Sequence, residues 1–209
     1  TEQPNGGADA NAGNDRMEGC FRTVDPVLPV PFNEGFGADV FPPEGWSYVH
    51  FNPNNYMSRN GTTGGFGNST GCLKMDNYSG QMDITGQMDY LLMPRVDLST
   101  APVGSTLEFA VAYRQYNSTS AERLMVKAST DCGDNWMTLY DLEGADLSTG
   151  TPTTGAFTPT AAQWRTDVVD ISAVIGISDV LFMFQTESNF GNNVYLDDIA
   201  IASIVGVDE

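Results

Sequence analysis

Basic side chains are scarce in this chain of 209 residues: nine Lys and Arg stand against 27 Asp and Glu, for a formal charge of −18. Phosphate backbones are held by clustered cations, so nucleic acid is excluded as a partner, and anionic membrane surfaces are disfavoured on the same ground. No apolar run approaches the ~18 residues of a membrane span, so insertion into a bilayer is not expected. Histidine occurs once, as His50. With no second histidine and no Gly-x-Ser-x-Gly elbow, a nucleophilic relay has no parts to draw on, and a structural role for His50 beside Val49 is the plainer reading. Cysteine occurs three times, as Cys20, Cys72 and Cys132. An odd set in an oxidising setting implies one disulfide and one leftover thiol. Cys72 with Cys132 is the expected pair, and no zinc-ligand spacing is present.

Sustained helical periodicity is also missing. What the chain has instead, from Pro29 onward, is short runs of β-formers punctuated by Gly, Pro, Asn, Asp and Ser. The clearest is Thr106 to Arg114, where Leu107, Phe109, Val111 and Tyr113 share one face and predict a half-buried antiparallel strand. Comparable runs lie at 31–36, 46–51, 72–78, 90–96, 123–129, 136–142, 164–171, 180–186 and 194–201. About ten strands at this spacing predict an all-β jelly-roll sandwich of two packed sheets. Residues 1–28 read as a flexible acidic arm, 29–202 as the sandwich domain and 203–209 as a linker stub. Two long connections, 52–71 and 143–162, are expected to be loops.

The final run, Asn193 to Ile201, drives Asp197 and Asp198 into an apolar strand. Successive strand residues face opposite sides, so one of these carboxylates is expected to be buried. A buried carboxylate needs a partner. With so few basic residues, a calcium ion is the expected one.

In order along the chain, several segments resemble one family. They are Phe32-Asn33-Glu34-Gly35-Phe36, Pro42-Pro43-Glu44-Gly45-Trp46, Cys72 to Tyr78, Asp89 to Pro94 with Val96-Asp97-Leu98-Ser99, Ala128 to Trp136, Val169-Asp170-Ile171-Ser172, and Gly191 to Ile199. Together they are similar to the cleaved-adhesin, or choice-of-anchor J, jelly-roll domains of secreted Bacteroidetes surface proteins, which are MAM-like and similar to carbohydrate-binding modules. The resemblance implies an extracellular, noncatalytic adhesion or binding role and a structural Ca2+ held by Glu34, Asp76 and Asp197, with Asp198 or Asp39 as substitutes. It also implies that the segment after Ala202 leads to a type IX secretion sorting domain.

Recognition by such a domain falls to exposed loop aromatics. Tyr56, Tyr116 and Phe190 each sit among Asn, Ser and Gly rather than in an apolar run, and are the expected ligand-binding residues. The expected partner is a glycan or a surface protein, with neighbouring domains or subunits as further partners. An assembly subunit, or the accessory domain of a secreted protease or glycosidase, is the alternative. Four Asn-x-Ser/Thr triplets, at Asn60, Asn68, Asn77 and Asn117, match the N-glycosylation pattern, which such a composition also produces by chance.

Overall fold

The computed structural model of the protein describes residues 26–50, 56–78 and 83–202. Cys20, nearly all of the expected arm and the 203–209 stub lie outside the described residues. The strands are β1 (Leu28–Pro29), β2 (Phe32–Glu34), β3 (Ser47–His50), β4 (Met57–Asn60), β5 (Cys72–Met75), β6 (Met88–Leu92), β7 (Val96–Asp97), β8 (Thr106–Tyr113), β9 (Arg123–Ser129), β10 (Met137–Glu143), β11 (Arg165–Asp170), β12 (Leu181–Glu187) and β13 (Val194–Ala202). One sheet runs β10-β9-β12-β6-β3; the other runs β11-β8-β13-β5-β4, with β2 also paired to β13. Pairing within both sheets is antiparallel, and β1 and β7 form a small parallel pair at the side. The expected all-β sandwich is the observed class.

Alternation explains the core between the sheets. Leu107, Phe109, Val111 and Tyr113 of β8 meet Leu124 and Val126 of β9, Phe182 and Phe184 of β12, and Val194, Leu196, Ile199 and Ile201 of β13. The Phe109 ring packs edge-on against Tyr140 and Phe184 at 5.3 and 5.4 Å, the geometry that aromatic quadrupoles favour.

The other face of β8 is buried too, where alternation alone predicts exposure. Ala110 and Ala112 sit with Cys72, Tyr195, Phe157 and Trp164 in a second, smaller cluster. Phe157 belongs to the long connection after β10 and Trp164 follows that connection, so it serves as a cover for the sheet, and the two alanines leave room for it. The 52–71 connection also holds structure not visible in its pattern. Met57–Asn60 forms β4 on the sheet edge, in register with Met75 to Cys72. One apolar residue in four is too little to show a period, so Arg59 anchors the strand instead: its Nε donates to the Phe36 carbonyl at 2.7 Å and its Nη1 to Asp39 at 3.0 Å. The single run expected over 90–96 divides into β6 and β7 at Met93-Pro94-Arg95, where Pro94 has no N–H to continue a ladder.

β13 is the organising strand. One edge pairs with β8 throughout; the other pairs first with β5, through Val194 to Leu196, and then with β2, through Ile199 to Ile201. The register on β8 slips between Asp197 and Ala200. A bulge therefore occurs where the outer edge changes partner, and both carboxylates of the final run lie in it.

Candidate functional site

Two places carry functional side chains, one at the β13 bulge and one among the loops at the strand ends near Asn193. At the bulge, Asp198 takes a left-handed conformation (φ +49). This resets the alternation, so Leu196 and Ile199 both face the main core while Asp197 shares the covered face with Tyr195 and Asp198 is exposed. Asp197 is fully buried. Its Oδ2 accepts from the Gly65 N–H at 2.6 Å and from Ser69 Oγ at 3.1 Å, and its Oδ1 from the Asp198 N–H at 2.8 Å. Burial outweighs these bonds and raises its carboxyl to about 6, the Asp198 charge adding to the rise. Glu34 at the end of β2 accepts the Phe36 N–H at 2.6 Å. Phe36 and Phe66 share the positive φ of Asp198 (+47 and +51). Three strained non-glycine residues around one pair of carboxylates mark a place where the surrounding structure holds the backbone against its preference.

The donor set fits a calcium ion in part. A Cβ built on Gly35 would lie 3.7 Å from Asp198 Oδ1 and 3.8 Å from Asp197 Oδ1, so glycine there leaves a hollow flanked by two carboxylates next to Glu34. Asp76 does not belong to it. Leu73 pairs with Leu196 and Met75 with Val194, which puts Asp76 level with Asn193, about 13 Å along β13 from Asp197 at strand rise. There its carboxylate meets Lys74 Nζ at 3.1 Å. Asp39, the other substitute, is fully exposed and paired with Arg59. Among the described residues no three His, Cys, Asp or Glu side chains are grouped closely enough to hold a metal between them. Antiparallel register separates Asp76 from the bulge, so the expected trio of Glu34, Asp76 and Asp197 is not brought together.

The loops between β5 and β6, β8 and β9, and β12 and β13 enclose a groove of about 480 Å³ lined by Asn77, Tyr78, Tyr116, Asn117, Ser120, Phe190 and Gly191. Two of the three expected aromatics, Tyr116 and Phe190, meet here, and Tyr78 joins them with its ring 6.2 Å from that of Tyr116. Phe190 is both exposed and strained: 41 % of its surface is accessible and its φ is +50.

The groove rests on buried polar side chains. Beneath Phe190, the buried Glu122 carboxylate accepts the Gly191 N–H at 2.6 Å on Oε1 and the Tyr113 O–H at 2.5 Å on Oε2. Burial and the Glu122 charge raise the Tyr113 phenol, which keeps it the donor. Gly191 admits no side chain, since a Cβ would collide with that carboxylate. Asn192 Oδ1 accepts from Phe157 and Asn193, and its Nδ2 donates to the Thr153 and Gly155 carbonyls. Asn193 Oδ1 accepts the Tyr78 N–H at 3.0 Å. On the third loop, Asn117 Oδ1 accepts from Thr119 N–H, Thr119 Oγ1 and Ser120 N–H. Asn192, buried and with both ends of its amide paired, fixes the start of β13 beneath the groove before any ligand arrives.

No protein-family model matches the chain. No curated protein sequence matches it either. Solved structures that match over most of its length include three cleaved adhesin domains. The K1 cleaved adhesin domain of Lys-gingipain from Porphyromonas gingivalis is 21% identical, covers 82% of this chain and 97% of its own, and superposes with a TM-score of 0.60. The K3 domain from the same organism is 20% identical with the same coverages and a TM-score of 0.55, and the K2 domain is 14% identical, covering 82% and 98%, with a TM-score of 0.55. The chain has a cleaved-adhesin-like fold.

Two expectations for this cleaved-adhesin-like domain change with its coordinates. Tyr56 lies outside the groove, its ring 6.0 Å from that of His50, which stacks on Tyr48 at 4.9 Å. Cys72 and Cys132 do not bridge: Cys72 is buried on β5 under the second cluster, and Cys132 sits in the β9–β10 turn of the opposite sheet. Burial, with the Asp197 charge behind it, pushes the Cys72 thiol up to about 12. A thiol without thiolate character is inert. Iodoacetamide should leave the Cys72 peptide unmodified in the native protein and modify it fully in denaturant, as read by mass spectrometry; native labelling would contradict the burial.

Sequence reasoning missed Glu122, Asn77 and the Asn192-Asn193 pair. Glu122 sits in Ser120-Ala121-Glu122-Arg123, indistinguishable from a solvated turn. The asparagines left a fainter trace, as consecutive amides directly ahead of an apolar strand.

Proposed function

We propose that this chain is a noncatalytic recognition module of a secreted or cell-surface bacterial protein, and that it binds a glycan or surface protein through the groove lined by Tyr78, Tyr116 and Phe190. The observation that carries this reading is Phe190, a large aromatic held exposed and at positive φ by a buried carboxylate beneath it. Both features cost stability, and both place a flat apolar face in an open cavity of a size typical of ligand sites, ~300–1,000 Å³. The adhesin domains of similar fold support the same class of role. Among the described residues no helix is long and apolar enough to cross a membrane.

A calcium ion is part of the same proposal. Asp197 and Asp198 would hold it, with Glu34 beside them, and it would neutralise the bulge while tying β2 to β13. Its role there is structural, and the recognition step involves no bond making.

A glycan array read with native protein and with Tyr116→Ala and Phe190→Ala tests the groove. Each truncation is expected to weaken binding by about 2 kcal/mol, roughly thirtyfold in Kd. Binding that survives both changes intact would place recognition elsewhere on the domain.

A further inference from the structure

We infer that Arg114 is an anion-recognition residue beside the groove and that the ligand is a glycan carrying a carboxylate; this rests on the groove being the recognition site. Acids outnumber basic residues 27 to nine in this chain, so a carboxylate lies within reach of most guanidinium groups. Arg59, Arg95, Arg123 and Arg165 each meet one at 2.6–3.0 Å. Among the described residues Arg114 is the arginine that meets none, and it makes no hydrogen bond. Its head is nonetheless held in place. The guanidinium carbon lies 5.7 Å from the centre of the Phe157 ring, within cation–π range. A Cβ built on Gly150 would stand 3.0 Å from Nε and 3.3 Å from Nη2, so glycine at 150 lets the head lie close against the chain. Nε is sealed in this contact and is not the contact atom for a ligand. The terminal nitrogens are not among the sealed, unpaired atoms, and the residue keeps part of its surface open, so Nη1 and Nη2 are the atoms open to solvent. Held in one plane, they offer the fork that a carboxylate fills with two parallel hydrogen bonds. Little side-chain freedom is left to lose when it does.

Position ties this fork to the groove. Gly150 and Phe157, which hold the guanidinium, bound a segment that also receives the Tyr78 hydroxyl, at the Thr154 carbonyl and 3.4 Å. Tyr78 is a wall of the groove, and Tyr116, another wall, follows Arg114 by two residues. A sugar stacked on those rings therefore has the fork at its flank, across one strip of loop. The groove lining itself carries no charge, so Arg114 is the feature that separates acidic from neutral glycans. An acidic protein surface is a weaker match, because the −18 of the chain repels a partner in proportion to its charge, and a single carboxylate meets the least of that repulsion. The groove walls are also loops outside the named strands, which offer an extended peptide no ladder to join.

A glycan array read with the native chain and with Arg114→Gln gives the first measurement: carboxylated glycans should dominate the native signal and lose it in the variant. Calorimetric titration of the whole chain with trigalacturonate against its methyl ester, and with 3′-sialyllactose against lactose, then isolates the carboxylate. Native protein is expected to prefer the acid by about tenfold or more in at least one pair. Arg114→Gln should bring that acid down to its neutral counterpart and leave the neutral sugar unchanged, while Arg114→Lys, a point charge without the fork, should restore only part of the preference. The melting temperature of Arg114→Gln should stay close to native, because no ion pair is lost. Neutral sugars bound as well as acids in both pairs, still sensitive to Tyr116→Ala, would overturn the inference and leave the recognition groove standing. So would a preference for acid that survives Arg114→Gln. Arg114-dependent binding of a tetraglutamate peptide in place of every glycan would overturn it in favour of a protein ligand. An array signal indifferent to Tyr116→Ala and Phe190→Ala, with none of the four sugars bound, would overturn both.

Discussion

Replacing Glu122 by alanine is expected to destabilise the domain by about 3–5 kcal/mol, since it leaves the Tyr113 O–H and the Gly191 N–H unpaired in a space closed to water. For a domain of this size that is a fall in melting temperature of roughly 10–15 °C. Both donors belong to structure that matters elsewhere: Tyr113 is fully buried in the main core and Gly191 carries the Phe190 wall of the groove. Glu122→Gln keeps an acceptor for one donor and turns its amide against the other, so an intermediate loss is expected. The two donors share one carboxylate, hence Tyr113→Phe and Glu122→Ala should not add: the double variant should lose less than the sum of the singles. Ligand affinity should fall with Glu122→Ala even at temperatures where the domain remains folded, because the Phe190–Gly191 segment loses its tether. A chemical-denaturation midpoint near that of the native protein would show that the buried carboxylate is not holding the loop.

The second large effect concerns acidity and calcium together. Burial raises Asp197 to about 6, and it raises Asp89 to about 6 as well, the latter opposed by His50 across the β3–β6 pair. An unfolded aspartate titrates near 3.9, so between about pH 4 and pH 6 the folded chain holds protons that the unfolded chain has released. The resulting stabilisation is complete below about pH 4 and is lost as pH rises through 6. Each group thus contributes about 2–3 kcal/mol at low pH that is absent at neutrality. With a chelator present, the domain should therefore melt higher at pH 5 than at pH 7.5, the reverse of ordinary acid denaturation. The high negative charge adds to the same trend. Asp89→Asn should flatten its share of the curve. Millimolar calcium at pH 7.5 should stabilise the domain through the bulge carboxylates, by about 2.7 kcal/mol at a hundredfold excess over Kd, seen as a higher melting temperature, and Asp197→Asn should abolish that gain. A melting temperature indifferent to calcium at pH 7.5 would remove the metal from the account.

The residues differ in how much of this they disclose. Tyr116 and Phe190 stand out in the chain because an aromatic among Asn, Ser and Gly has no apolar neighbours to bury it, and both reach the groove. Tyr56 carries the same local signal, yet its ring ends beside His50 and Tyr48. The signal reports exposure, and exposure is a property of the neighbourhood along the chain; meeting another loop is not. The Asp197-Asp198 pair shows the same division. That one of them is buried follows from a strand with side chains alternating between faces. Which one is buried depends on the bulge, and the bulge arises because β13 exchanges β5 for β2 along one edge, a fact about neighbours far apart in sequence.

Local pattern was sufficient for the all-β class, for the two-layer sandwich and for most strand positions, since period-two burial and turn residues act over a few positions of chain. The company each loop keeps was set at another level. Asp76 lies away from the bulge, Cys72 and Cys132 stay apart, and Asn77, Glu122 and Asn192 converge under one groove because strand order and register place distant chain segments side by side, such as Tyr78 and Asn193, 115 residues apart. Hydrogen-bond ladders transmit that placement from strand to strand, and no stretch of sequence read alone contains the partner strand.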